Sequence, residues 1–264
     1  MASDSAIGVF DSGVGGLTVA GAITRALPNE RLVYLGDTAR LPYGSKSPDV
    51  VRRYAERCAD FLLTQDIKMM VIACNTATAH ALHYLQMKLE IPVVGVISAG
   101  ARRALVVSRS KRIGVIGTAG TIASVAYKKA IHALEPQAEV FEQACPMFVP
   151  LAEEGMTSHE ATKLIARDYL KTMREHEIDA LVLGCTHYPL LREVIQEAVG
   201  SQVALCDSAE ACTDDVKAVL TDTRKLAEKK SGPHRFYLTD VQASFRTLAA
   251  RFFGADTDPE RVDL

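Results

Sequence analysis

Val71-Ile72-Ala73-Cys74-Asn75-Thr76 and Leu181-Val182-Leu183-Gly184-Cys185-Thr186-His187 are two short apolar strands. Each ends in a cysteine with a threonine within two residues. Each thiol therefore stands where a buried strand stops and a polar turn begins, which in α/β proteins is where ligands bind. The cysteines lie 111 positions apart. Two similar thiols in two equivalent settings suggest a site with one thiol on each side of a substrate.

The rest of the chain repeats with nearly the same offset. Ile7-Gly8-Val9-Phe10-Asp11-Ser12-Gly13 reads like Ile113-Gly114-Val115-Ile116-Gly117-Thr118-Ala119, and Val93-Val94-Gly95-Val96-Ile97-Ser98-Ala99 like Val203-Ala204-Leu205-Cys206-Asp207-Ser208-Ala209. Strand–turn–helix units resemble one another anywhere, so one match would carry little; three in the same order point to duplication. The period is too long for a solenoid, whose units run roughly 20–50 residues, and suits two copies of one α/β domain.

Short apolar runs without alternation mark parallel strands buried on both faces. They fall at 6–10, 31–36, 69–73, 92–97, 112–117, 138–142, 180–184 and 203–206. Helical patterns at 47–65, 76–89, 99–109, 158–176 and 189–199 lie between most of them. The βαβα order predicts two three-layer α/β domains with mainly parallel sheets and the active site in the cleft between them. The last stretch reads as a helix (208–230), a short strand (235–239), a helix (241–252) and a polar tail (256–264). It has no counterpart after the first repeat and is expected to complete the first domain. The expected division is 1–97 plus 208–264 against 98–207.

Composition narrows the class. The 264 residues are 48% hydrophobic, enough for a sizeable core, and the formal net charge of −2 gives no sign of a nucleic-acid surface. The densest basic patch, Lys225 with Lys229-Lys230, reads as a solvated helix end. No run of about 18 apolar residues is long enough to span a membrane. With the first strand starting by Ile7, no room is left for a signal peptide, so a cytoplasmic protein with free thiols is expected. None of the six cysteines forms a C-x-x-C pair, which disfavours a zinc ribbon or a thioredoxin-type centre. Cys58, Cys145, Cys206 and Cys212 read as small buried hydrophobes.

Polar residues cluster at the strand ends. Asp11-Ser12-Gly13-Val14-Gly15-Gly16 closes the first strand and opens a helix, but it has neither the dinucleotide spacing nor the phosphate-loop lysine. It reads as a carboxylate-binding turn in which Asp11 holds a catalytic partner, or as an ordinary turn. Gly36-Asp37-Thr38-Ala39-Arg40-Leu41-Pro42-Tyr43-Gly44 is a loop dense in polar and turn residues. Thr118 and Thr121 suit either a substrate carboxylate or a helix cap. In Pro150-Leu151-Ala152-Glu153-Glu154-Gly155 one glutamate points inward or both are solvated. His187 has poor metal spacing with Cys185 and fits an acid–base or orienting role better; no metal site is expected.

Taken together, Asp11–Leu17, Gly36–Gly44, Ala73-Cys74-Asn75-Thr76-Ala77-Thr78 and Gly184-Cys185-Thr186-His187-Tyr188-Pro189 closely resemble the glutamate racemases of the aspartate/glutamate racemase superfamily. The resemblance spans about residues 6–210, with the motifs in the family's order. It implies two pseudosymmetric α/β domains, a homodimer, and a cofactor-independent racemase that supplies D-glutamate for peptidoglycan synthesis. It implies that Cys74 takes the proton from D-glutamate and Cys185 from L-glutamate. Asp11 would assist Cys74; Glu154 and His187 would assist Cys185. Ser12, Tyr43, Gly44, Asn75, Thr76, Thr118, Thr121 and Thr186, with Asp11 and His187, would bind the substrate.

Two thiols suit such a reaction. Racemisation removes the α-proton from one face and returns a proton to the other, so one residue is base, its counterpart is acid, and they exchange roles with direction. A free thiol has a pKa near 8.5, and a cation, helix N-terminus or hydrogen-bond donor brings it toward working pH. The rival readings are an aspartate or hydantoin racemase of the same superfamily, a non-catalytic small-molecule binding protein, and a thiol hydrolase. The Thr186-His187-Tyr188-Pro189 string favours glutamate, and paired thiols disfavour a mere binder.

Overall fold

The computed structural model describes residues 4–241, 245–254 and 257–264. The described strands are β1 (Ala6–Asp11), β2 (Leu32–Gly36), β3 (Ile67–Ile72), β4 (Val93–Gly95), β5 (Arg112–Gly117), β6 (Glu139–Ala144), β7 (Ala180–Gly184), β8 (Ala204–Asp207), β9 (Arg235–Leu238) and β10 (Glu260–Arg261). The chain divides into two compact units: residues up to Val96 together with Ala209–Leu264, and Ile97–Ser208.

The first unit holds a six-stranded sheet ordered β10-β9-β2-β1-β3-β4, the second a four-stranded sheet ordered β6-β5-β7-β8, and every pairing is parallel. Within the larger sheet, β2-β1-β3-β4 has the same order as β6-β5-β7-β8 in the smaller. The sequence repeat is therefore matched by a topological one. In each unit the first strand of the repeat is central, the second lies on one side and the third on the other.

The apolar runs become strands for the expected reason. All six residues of β1 and all six of β3 are buried, as strands covered on both faces must be. Helices supply the covering layers. Pro48–Leu63 starts with proline, whose missing N–H costs nothing in a first turn. It turns Val51, Ala55, Cys58, Ala59 and Leu62 inward at helical spacing. The second unit's core gathers Phe148, Tyr188, Leu191 and Ile195 around β7.

Several boundaries differ from the sequence reading. The expected helix at 158–176 is two, Glu160–Tyr169 and Lys171–Glu175, broken at Leu170 with ψ near 5°. The strand expected at 92–97 stops at Gly95, because helix Val96–Val107 follows at once. The helix expected at 208–230 ends at Asp222, and Arg224 adopts φ 55°. The basic patch beyond it is thus loop rather than helix end. Helix Phe245–Phe253 takes the place expected for 241–252, of which 242–244 lie outside the described residues. The stretch expected to be a polar tail (residue 256 lies outside the described residues) is tied down instead. Its β10 pairs with β9, and Val262 and Leu264 pack against the first unit's core.

One buried ion pair explains why the loop after Asp222 is held. Lys68, the second residue of β3, is 0% exposed. Its Nζ lies 2.6 Å from Glu30 Oε2 and donates to the Lys225 carbonyl at 2.7 Å. Glu30 Oε1 accepts the Ala227 N–H at 2.8 Å. Removing one partner strands the other charge in a low dielectric, which costs about 3–5 kcal/mol. Lys68→Met should therefore lower unfolding stability in urea by that amount. Adding Glu30→Gln, which keeps an acceptor for Ala227 but removes the charge, should recover at least half; simple additivity of the two changes would contradict this assignment.

Candidate active site

Each thiol stands at the point in its own sheet where the chain changes side. In the first unit β1 lies between β2 and β3, and Cys74 follows β3 by two residues. In the second β5 lies between β6 and β7, and Cys185 follows β7 directly. Such switch points open a crevice beyond the strand carboxyl ends. Gly184, just before the second thiol, is required there: a Cβ on it would lie 2.6 Å from the Ile116 carbonyl oxygen.

Cys74 occupies the N-cap of the 14-residue helix Asn75–Lys88, and its Sγ accepts the Ala77 N–H at 3.4 Å. A helix N-terminus favours negative charge, and this sulfur sits at one. Its exposure is only 6%. Asn75 and Thr76 form the first turn of the same helix and are also buried. Beside them β1 ends in Asp11, whose Oδ2 accepts the Gly13 N–H at 3.0 Å. Gly16 has no side chain because a Cβ would fall 2.4 Å from Asp11 Cβ. Ser12 is half-buried on the same turn. Tyr34, not singled out from sequence, closes this turn: its hydroxyl donates to the Gly13 carbonyl at 2.7 Å. Burial first, then the charges of Asp11 and Cys74, push that hydroxyl well above its ordinary pKa, so it stays a neutral donor.

Cys185, 7% exposed, is served differently. Its Sγ lies 3.8 Å from His187 Nδ1, and Thr186 Oγ1 lies 3.5 Å from the same nitrogen. His187 Nε2 lies 2.9 Å from Glu153 Oε1. Burial alone would discharge the imidazole, but the hydrogen bonds to Cys185 and Glu153, and then their charges, outweigh it and push the His187 pKa up to about 10. At neutral pH His187 is therefore a cation with one N–H toward sulfur and one toward carboxylate.

Two sequence expectations need correction. Glu153, not Glu154, reaches His187; Glu154 is the exposed C-cap of helix Phe148–Glu153, and its N–H is spent on the Pro150 carbonyl. The helical phase set by buried Phe148, Leu151 and Ala152 does not single out Glu153; the place of His187 does. Tyr43 is not displayed to a ligand: its side chain is 1% exposed and its hydroxyl donates to Asp37 Oδ2 at 2.6 Å. Gly44, next to it, is half-buried. Thr118 caps helix Ala119–Ala123, accepting the Thr121 N–H at 3.3 Å, with the two hydroxyl oxygens 3.1 Å apart. Cys58, Cys145, Cys206 and Cys212 are buried. Among the described residues no group of three or more His, Cys, Asp or Glu is placed to hold a metal ion.

The Glu153 assignment has a direct check. Glu153→Gln removes a charge that holds the proton on His187, so its titration, followed by NMR, should move down from about 10 toward the ordinary value near 6.5. Glu154→Gln should leave it in place. The reverse pattern would reinstate Glu154.

Known proteins resemble this chain in sequence and in fold. A family model described as Asp/Glu/Hydantoin racemase matches residues 7–216. A glutamate racemase of Geobacter metallireducens is 55% identical over 250 residues, which cover 94% of this chain and 93% of that protein. Among solved structures, a glutamate racemase from Bacillus anthracis superposes with a TM-score of 0.95 at 41% identity, covering 98% of each chain. One from Francisella tularensis, solved in complex with D-glutamate, has a TM-score of 0.93 at 38% identity over 99% of this chain and 98% of that one. With two equivalent strand-end thiols, a matched pair of sheets and this degree of likeness along its whole length, the chain belongs to the Asp/Glu/Hydantoin racemase family.

Proposed function

We propose that the protein interconverts L- and D-glutamate by two-base α-proton transfer, with Cys74 and Cys185 as the bases. The observation that carries this reading is the pair of strand-end thiols, each with its own donor: a helix N-terminus at Cys74 and the His187 cation at Cys185. The substrate follows from relatives named glutamate racemases, 45–55% identical over nearly the full chain.

In the D-to-L direction the Cys74 thiolate takes the α-proton, and the C–H electron pair passes into the α-carboxylate. The Cys185 S–H then gives its proton to the opposite face and is left as a thiolate, held by His187. The reverse direction starts from the Cys185 thiolate. Each turnover exchanges the protonation states of the two sulfurs, and solvent restores them. Asp11 assists Cys74; His187, oriented by Glu153, assists Cys185. Ser12, Asn75, Thr76, Thr118, Thr121, Thr186 and the main chain of Tyr43-Gly44 bind the ammonium and the two carboxylates. An apolar pocket separates glutamate from aspartate by only about 1–3 kcal/mol per methylene. Preference therefore rests on polar groups set for the longer acid, which the shorter one leaves unpaired.

In this reading no cofactor takes part and the product supplies D-glutamate for peptidoglycan. The protein works in the cytoplasm as a homodimer. Among the described residues no helix is long and apolar enough to cross a membrane.

The test removes one thiol at a time. A serine hydroxyl is too weak an acid to serve as base at neutral pH. Cys74→Ser and Cys185→Ser should each lower kcat for glutamate racemisation by at least about 10²–10⁴-fold, with far-UV circular dichroism unchanged. Near-normal racemisation by either folded variant would overturn the two-base mechanism.

A further inference from the structure

We propose that Thr239, acting through Asp37, is a positioning residue for the Tyr43-Gly44 turn, so that the strands added at the C-terminal end of the chain set substrate affinity. The inference rests on the reading of that turn as part of a glutamate site.

Asp37 follows β2 and is fully buried. Its carboxylate takes three donors: Tyr43 Oη at 2.6 Å on Oδ2, with Thr239 Oγ1 at 2.9 Å and Arg40 Nη1 at 3.0 Å on Oδ1. Thr239 immediately follows β9 and grips the loop at further points. Its Oγ1 accepts the Ala39 N–H at 2.9 Å, and its own N–H donates to the Gly36 carbonyl at 3.1 Å. Next to it, Thr38 Oγ1 donates to the Asp240 carbonyl at 2.6 Å and accepts the Asp240 N–H at 2.8 Å. Arg40 and Arg57 both donate to the main-chain oxygen of Leu264, beyond β10. The Tyr43 ring packs on Tyr54 at 5.6 Å, and Tyr54 lies under the Arg40 guanidinium. Tyr43 is therefore fixed at its ring by Tyr54 and at its hydroxyl by Asp37, and only Asp37's own anchor, Thr239, is remote in sequence. Its role is that of an anchor that sets the main chain of the neighbouring Gly44.

This arrangement predicts a particular kinetic signature. The turn would hold a carboxylate that is the same in both enantiomers and in the transition state. Loosening it removes uniform binding, which raises KM and leaves kcat alone. Enantiomers have an equilibrium constant of one, so kcat/KM must stay equal in both directions and KM must rise by the same factor for each. A purely structural role for Thr239 would instead lower the fraction of active protein, reducing kcat at constant KM.

The unmodified protein is first assayed on both enantiomers; if it does not racemise glutamate, the functional reading fails and the inference with it. If it does, Thr239→Val should raise KM for both by about tenfold, the size of one hydrogen bond to a charged group, with kcat within about twofold. Thr239→Ser should restore KM. Tyr43→Phe breaks the relay from its other end and should give the same KM change. The double variant should add little to either, and Tyr43→Phe carries the test should Thr239→Val not fold. Unchanged KM in a folded single variant, loss of kcat at constant KM, or failure of serine to rescue would each overturn the inference while leaving the two-thiol reading intact.

Discussion

Parallel neighbouring strands cannot be joined by a tight turn; each connection must cross back over the sheet. All strand carboxyl ends therefore leave a sheet by one edge, and every polar residue needed for chemistry can be delivered there by a different strand. In this chain the constraint acts twice. β1 and β3 bring Asp11 and Cys74 to one edge of the first sheet, and β5 and β7 bring Thr118 and Cys185 to one edge of the second. Because the first strand of each repeat is central, each thiol comes at a change of side, where no neighbouring crossover covers the strand ends.

Equivalent placement has not produced equivalent surroundings. The helix after Cys74 begins at once and supplies an N–H to sulfur. After Cys185 the chain makes a short turn of helix at Tyr188–Leu191 before Arg192–Val199, and an imidazolium tied to Glu153 takes the place of the helix terminus. A helix terminus is a fixed partial charge that does not titrate. The His187 charge does, and the proton stays on it up to about 10. The interaction of that cation with its partners thus contributes fully at pH values below the ordinary histidine pKa and is lost as pH rises through about 10. The two half-reactions are therefore expected to differ in how they respond to alkaline pH.

Much of this was legible in the sequence because it is local. Uninterrupted apolar runs specify buried parallel strands, and a cysteine at the end of such a run specifies a sulfur at a strand tip. Even the duplication can be read, since the repeated segments all lie on strands and the residues that directly follow them. What could not be read is non-local. Glu153 is selected over Glu154 by the position of His187, 34 residues onward. Tyr43 is withdrawn from the site by Asp37, which is itself held by Thr239 from the far end of the chain. The reading of a helix on to 230 missed its end at Asp222, because the loop beyond is held by Lys68 and Glu30 from the other side of the sequence and not by its own side chains. Polar residues at 257–264 conceal a strand and two apolar anchors whose partners lie in the first unit's core.

The central claim is that two different groups exchange protons with the two enantiomers. It is tested most directly by running L-glutamate in D₂O and sampling the α-position by NMR at low conversion. Two bases predict that the D-glutamate formed carries deuterium while the remaining L-glutamate still carries protium. L-aspartate run in parallel should exchange far more slowly. Protium retained in the product, or deuterium entering the remaining L-glutamate as fast as D-glutamate appears, would point to a single base and contradict the account.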